Sequence, residues 1–125
     1  MRVASVDTGF VAAAPVRVFE VLADPSRYAR WWPGVRDGGD VVRLPGIGRA
    51  TARAEEVAPD VELTLRVSGR AWAGRLQWYL EPYKEGTVVY GIVDLETAGR
   101  WGRRRRTAAR ASIHRALAAL KGTLE

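Results

Sequence analysis

The 125-residue chain has no cysteine, one histidine and one methionine. Without thiols there is no disulfide, no zinc-thiolate site and no cysteine nucleophile, and a single imidazole excludes a multi-histidine metal centre. No apolar run approaches the roughly 18 to 20 residues that span a bilayer. Asp7 stands where a secretory signal would carry its apolar stretch, so a cytoplasmic location is expected. Internal repeats, low-complexity linkers and composition breaks are missing, which predicts one domain over residues 1–125. Gly-rich phosphate loops, serine nucleophile elbows and metal-ligand clusters are missing as well, so no metal or cofactor is expected.

What the chain does contain is an ordinary globular composition, 47% hydrophobic with five Trp. A chain of this length removes roughly two-thirds of its unfolded surface from water and builds a core without staples. Its charge is uneven. Residues 1 to 99 hold 12 basic and 13 acidic side chains, whereas residues 100 to 125 hold eight basic and one acidic. The whole excess of +6 therefore sits at one end, either as a solvated basic helix face or as a patch for an acidic partner.

Residues 3 to 11, rich in β-branched side chains, predict a strand. Pro15 suits the first turn of a helix carrying Val18, Phe19 and Leu22, and Asp24-Pro25-Ser26 ends it. A short second helix with Tyr28, Trp31 and Trp32 stops before Pro33-Gly34. The period then changes to two. Strands are predicted at Val41 to Leu44, at 49 to 58, and at Val61 to Val67. The strongest alternation sets Trp72, Gly74, Leu76, Trp78 and Leu80 against Ala73, Arg75, Gln77, Tyr79 and Glu81. Glu85-Gly86 is the expected turn into a last strand, Thr87 to Leu95. Ala109, Ile113, Ala116, Leu117, Leu120 and Leu124 share one stripe of a terminal helix. Strands joined by short turns with two helix groups give an α+β fold built on an antiparallel sheet.

The block from Phe10 to Val35, with Ala14-Pro15, Val18-Phe19, Ala23-Asp24-Pro25, Tyr28 and Trp31-Trp32-Pro33-Gly34, resembles START-like, helix-grip proteins of the polyketide cyclase/dehydrase and lipid-transport type. Glu56-Val57-Ala58-Pro59, Leu80-Glu81-Pro82 and Gly86-Thr87-Val88-Val89 are similar to turns of that family. The resemblance implies a curved antiparallel sheet of about six strands gripping a long C-terminal helix, with two short helices and an apolar cavity between sheet and helix. The family pattern has six strands after the helix pair; here about five are counted, which implies a smaller concave surface.

The candidate ligand-binding residues are Trp31, Trp32, Trp72, Trp78, Tyr79, Tyr90, Arg105 and Arg106. Trp31 and Trp32 either border a ligand entrance or pack a short helix onto the sheet. Trp72 and Trp78, with Leu76 and Leu80, either line a pocket or fill it. Tyr79 belongs to a polar row that is the solvated side of the sheet unless the faces are inverted. Arg103 to Arg106 opposes the helix dipole, so the run does not serve helix stability. The helical wheel brings Arg105 and Arg106 near the apolar stripe, where one could meet an acidic head group. Arg103, Arg104, Arg110 and Arg115 would form an outer patch for an acidic macromolecule or membrane surface, or pair with sheet carboxylates such as Asp94 and Glu96. No specific nucleic-acid motif accompanies them. His114 lies outside the stripe and reads as a surface residue. Glu55 and Glu56 alternate across a strand and cannot cooperate.

Three functions follow in order: binding of a lipid, isoprenoid or polyketide in the cavity; a cyclase or dehydratase using Tyr79, Tyr90, Asp94 or His114 as acid or base; and an interaction module using the basic helix. No residue maps onto a catalytic set, so whether the chain is an enzyme stays open.

Overall fold

Ten residues, Arg2–Val11, form strand β1. The computed structural model describes residues 2–36, 41–44, 48–69, 72–97 and 102–125. Helix α1 (Pro15–Leu22) starts on a proline, whose missing N–H falls among donors that lack intrahelical partners anyway. The Asp24 carboxylate accepts from the Ser26 N–H and opens the 3₁₀ turn Pro25–Arg27, which runs into the single-turn helix α2 (Tyr28–Trp31). Trp32 leaves helical geometry with ψ at 112°, as a residue before proline must.

Five strands follow: β2 (Val41–Leu44), β3 (Gly48–Ala58), β4 (Glu62–Gly69), β5 (Trp72–Tyr83) and β6 (Gly86–Thr97). With β1 they make one antiparallel six-stranded sheet in the order β1-β6-β5-β4-β3-β2. The sheet, the helix pair and the terminal helix α3 (Gly102–Leu124) are the architecture expected from the sequence. The β5–β6 hairpin turns one residue earlier than Glu85-Gly86, because Tyr83 pairs with Gly86 and Lys84 takes a left-handed conformation, φ 53°.

Burial assigns the faces. Trp72, Leu76, Trp78 and Leu80 point inward with Leu63, Leu65 and Val67 of β4 and Val89, Val93 and Leu95 of β6, while Arg75, Tyr79 and Glu81 face out. Helix α3 buries Ala109, Ile113, Ala116, Leu117 and Leu120 against this sheet, and Ser112 joins the stripe. Two glycines allow the close approach. A Cβ at Gly91 would lie 2.6 Å from Ile113 Cγ2, and one at Gly9 3.3 Å from Leu117 Cβ. The end of α3 is fastened to β1, since Glu125 accepts from the Ala12 N–H at 3.2 Å and also pairs with Lys121.

A further sequence expectation changes in β3. A bulge between Ala54 and Glu56 breaks the alternation of β3, so Glu55 and Glu56 are not simply on opposite faces. Glu55 instead joins Arg66 of the adjacent β4 and Arg75 of β5 beyond it, 2.8 Å from each.

Candidate ligand-binding site

The inner face has two unlike halves. Toward α1, four aromatic rings fill it. Trp32 and Trp78 meet edge-on at 5.6 Å, Tyr28 lies 5.6 Å from Trp32, and Trp31 stacks on Trp32 at 5.7 Å. Such pairs contribute about 0.5 to 1.5 kcal/mol each beyond area burial. The polar atoms of Trp78, Tyr28 and Trp32 are all hydrogen-bonded. Trp78 Nε1 donates to the Tyr28 hydroxyl at 3.0 Å, which donates to the Leu22 carbonyl at 2.6 Å. Trp32 Nε1 donates to the Ser112 carbonyl and hydroxyl of α3. Burial pushes the Tyr28 phenol well above its ordinary range, so it stays protonated and serves as structure. In this half the space between sheet and helix is occupied by protein.

Toward the start of β5 the side chains shrink. Gly74 lies between Trp72 and Leu76, opposite Leu95 and Val67, and Val67 in turn faces Ala52. Ala50 and Ala52 of β3 are buried here with Trp72, Val67 and Leu95. Glycine is required at 74, where φ is 154° and a Cβ would strike the Asp94 carbonyl. Trp72 is 3% exposed, and its indole N–H points toward β3: a Cβ on Gly48 would sit 3.7 Å from Nε1. Neither this N–H nor that of Trp31 has a hydrogen-bond partner among the described residues, although both atoms are buried. An orphaned buried donor costs about 1 to 3 kcal/mol.

The other candidates lie elsewhere. Tyr79 and Tyr90 stand on the outer face, 5.7 Å apart, with the Tyr90 hydroxyl donating to Glu81 at 2.8 Å. Accepting that proton raises the Tyr90 pKa through Glu81. Asp94 is also outward, held by Arg2 in a two-pronged pair at 2.8 and 3.0 Å that keeps its carboxyl below the usual range. His114 is on the exposed side of α3, with Nδ1 3.2 Å from Asp7 Oδ2. Arg106, which the helical wheel brought near the apolar stripe, is exposed, because the turn of α3 that carries it precedes the first buried stripe residue, Ala109. Arg104, Arg110 and Arg115 are exposed too. The side chains of Arg103 and Arg105 lie outside the described part of the structure. Sequence reasoning passed over Tyr28, whose helical spacing to Trp31 and Trp32 was the available signal. It also gave no weight to Gly74, although a glycine inside a strand marks close backbone approach.

The family model described as polyketide cyclase/dehydrase and lipid transport matches residues 3–125. The chain belongs to this family. Solved structures agree with the polyketide cyclase/dehydrase and lipid-transport fold. A START superfamily protein from Mycobacterium smegmatis superposes with a TM-score of 0.80 at 16% identity, over 97% of this chain and 96% of that one. The Zhui aromatase/cyclase from Streptomyces sp. R1128 gives 0.74 at 18% identity, over 99% and 94%. The Aha1 dimer from Colwellia psychrerythraea gives 0.67 at 15% identity, over 98% and 96%. At these identities the likeness is one of fold, and a fold of this kind hosts unrelated sites. No curated protein matches the chain. Among the described residues of this family member, no helix is long and apolar enough to cross a membrane.

Proposed function

We propose that the chain binds a hydrophobic small molecule, a lipid, isoprenoid or polyketide, between the inner face of the sheet and α3. The observations that support this reading are the family match over residues 3–125 and an inner sheet face whose apolar side chains, Trp72, Leu76, Trp78 and Leu80 among them, are buried with the apolar stripe of α3. A ligand there would be held mainly by apolar burial, the usual chemistry of such pockets. Binding is favoured over cyclase chemistry because the four acid or base candidates, Tyr79, Tyr90, Asp94 and His114, are on the outer face or the exposed side of α3. The buried polar side chains Thr64, Thr87, Thr97 and Ser112 have no acid or base near neutral pH.

The test is solvent extraction of the purified protein with mass spectrometry, followed by tryptophan fluorescence of the delipidated protein against fatty acids, isoprenoid quinones and aromatic polyketides. A retained molecule or one saturable class is expected. Neither a retained molecule nor a response to any class would overturn the proposal and turn attention to the arginines of α3.

A further inference from the structure

We propose that the open edge of β1, with the side of α3 next to it, is a docking groove for an extended acidic segment of a partner protein, which adds to the sheet as one more strand. This surface is separate from the proposed cavity and does not rest on it. The two edges of the sheet are unlike. Strand β2 has four residues, whereas β1 has ten, contains no proline, and pairs with β6 at every position without a bulge. In an antiparallel pair alternate residues turn their N–H and C=O toward the neighbouring strand, and the others turn theirs away. The Thr8 N–H goes to Asp7 Oδ1 at 2.9 Å and the Ala12 N–H to Glu125 at 3.2 Å, so the even-numbered positions are the ones on the open side. On that side Ala4, Val6 and Phe10 have no backbone partner among the described residues. A long edge with unpaired N–H and C=O groups is a template for another chain.

Helix α3 decides what fits this edge. Asp7 of β1 and Thr107, Arg110, Ala111 and His114 of α3 line a groove of about 470 Å³ beside the strand. Arg110 is exposed and meets no carboxylate among the described residues. The carboxylate in the groove is already in use, since Asp7 accepts from the Thr8 N–H and lies 3.2 Å from His114 Nδ1. A side chain of the added strand that points to the inner face at this level enters the groove, where a glutamate or aspartate meets Arg110. The alternate side chains lie on the outer face beside Val6, which is 60% exposed. The partner that fits therefore alternates acidic with apolar residues, with main-chain bonds for affinity and the groove for specificity. A second copy fits less well: pairing β1 with β1 about a two-fold axis would bring together two α3 helices, each with Arg106, Arg110 and Arg115 exposed.

Three short peptides test this: one alternating valine with glutamate, its valine and lysine counterpart, and the glutamate peptide with its valine nitrogens methylated. In antiparallel pairing the valines share the outer face with Ala4 and Val6, so methylation deletes the donors of the edge that would pair with β1. Binding is followed by amide resonances and hydrogen exchange of the ¹⁵N-labelled wild-type chain. The glutamate peptide should slow exchange of the Ala4 and Val6 amides and shift the resonances of Arg110 and His114. It should bind about 10-fold more tightly than the methylated form, the value of one or two main-chain hydrogen bonds, and more tightly than the lysine peptide. Arg110→Gln should weaken the glutamate peptide about 2- to 5-fold, as expected of an exposed ion pair, and leave the lysine peptide unchanged. Equal binding of the glutamate peptide and its methylated form would overturn the proposal, because only a patch for polyanions would then remain; displacement by polyuridylate or by phosphatidylserine vesicles together with that equality would show which polyanion it prefers. Shifts on α3 without protection of Ala4 and Val6, or no binding of any peptide at millimolar concentration, would overturn it too. A dimer in sedimentation that already protects those two amides would give the edge to a second copy and overturn it likewise. The exchange measurement needs no variant, so the test survives if Arg110→Gln does not fold.

Discussion

The Tyr28 hydroxyl is the bridge between a donor on β5 and an acceptor at the end of α1, and both ends are buried with it. Removing it in Tyr28→Phe strands the Trp78 N–H and the Leu22 carbonyl, for an expected loss of about 1 to 3 kcal/mol. Thermal unfolding should show a drop of about 4 °C or more; an unchanged midpoint would show that the bridge contributes nothing. Gly91→Ala acts by overfilling. Its new methyl would meet Ile113 Cγ2 at 2.6 Å and Trp78 Cζ3 at 3.1 Å, and about 1 to 3 kcal/mol should be lost in a denaturant titration. At this scale the sequence is least informative. Gly91 alternates like any inward residue, and only the seating of α3 reveals why it carries no side chain. Whether the tryptophans fill or line the space was equally hidden, because it depends on where α2 delivers Trp31 and Trp32.

The central strands carry an ionic clamp on their outer face. Hydrogen bonds from Arg75 and Arg66 to Glu55 pull its pKa from 4.5 to about 2. A carboxyl whose folded value is depressed stabilises the fold above its unfolded value, and that contribution disappears as pH falls from about 4.5 toward 2. Glu55→Gln should therefore be less stable than wild type at pH 6, with the gap in urea midpoint closing across that acid window. A gap independent of pH would exclude the clamp. The group is exposed, so salt should narrow the gap at pH 6. The strands themselves were legible, because β4 and β5 alternate between inward apolar and mostly polar outward positions and β6 is a run rich in β-branched residues bounded by a turn. Strand β3 was legible only as extended chain. With few apolar residues to fix its register, nothing in Arg53-Ala54-Glu55-Glu56 announces the bulge that turns Glu55 toward two arginines.

Across the whole molecule, ligand binding should register as stability. A ligand at one hundred times its dissociation constant adds about 2.7 kcal/mol to the folded state. For a chain of this size that raises the unfolding midpoint by about 10 °C. A bound probe that leaves the midpoint unmoved would point to attachment outside the folded interior. The architecture was readable from the Phe10 to Val35 block, the strand periods and the terminal apolar stripe, and the family match over residues 3–125 agrees with it. The division of the inner face into an aromatic half and a half of smaller side chains was not, since it arises from cross-strand register joining Ala52, Val67, Gly74 and Leu95. One feature of that topology governs biosynthesis. Strand β1 is synthesised before the other five strands, yet its partners are the last strand and the helix after it, with Arg2 paired to Glu96. At roughly 5 to 20 residues per second, the N-terminal segment spends about 5 to 20 s without its neighbour. Nascent chains arrested before β6 should present Val3 and Val11 to a protease or chaperone, and full-length chains should hide them.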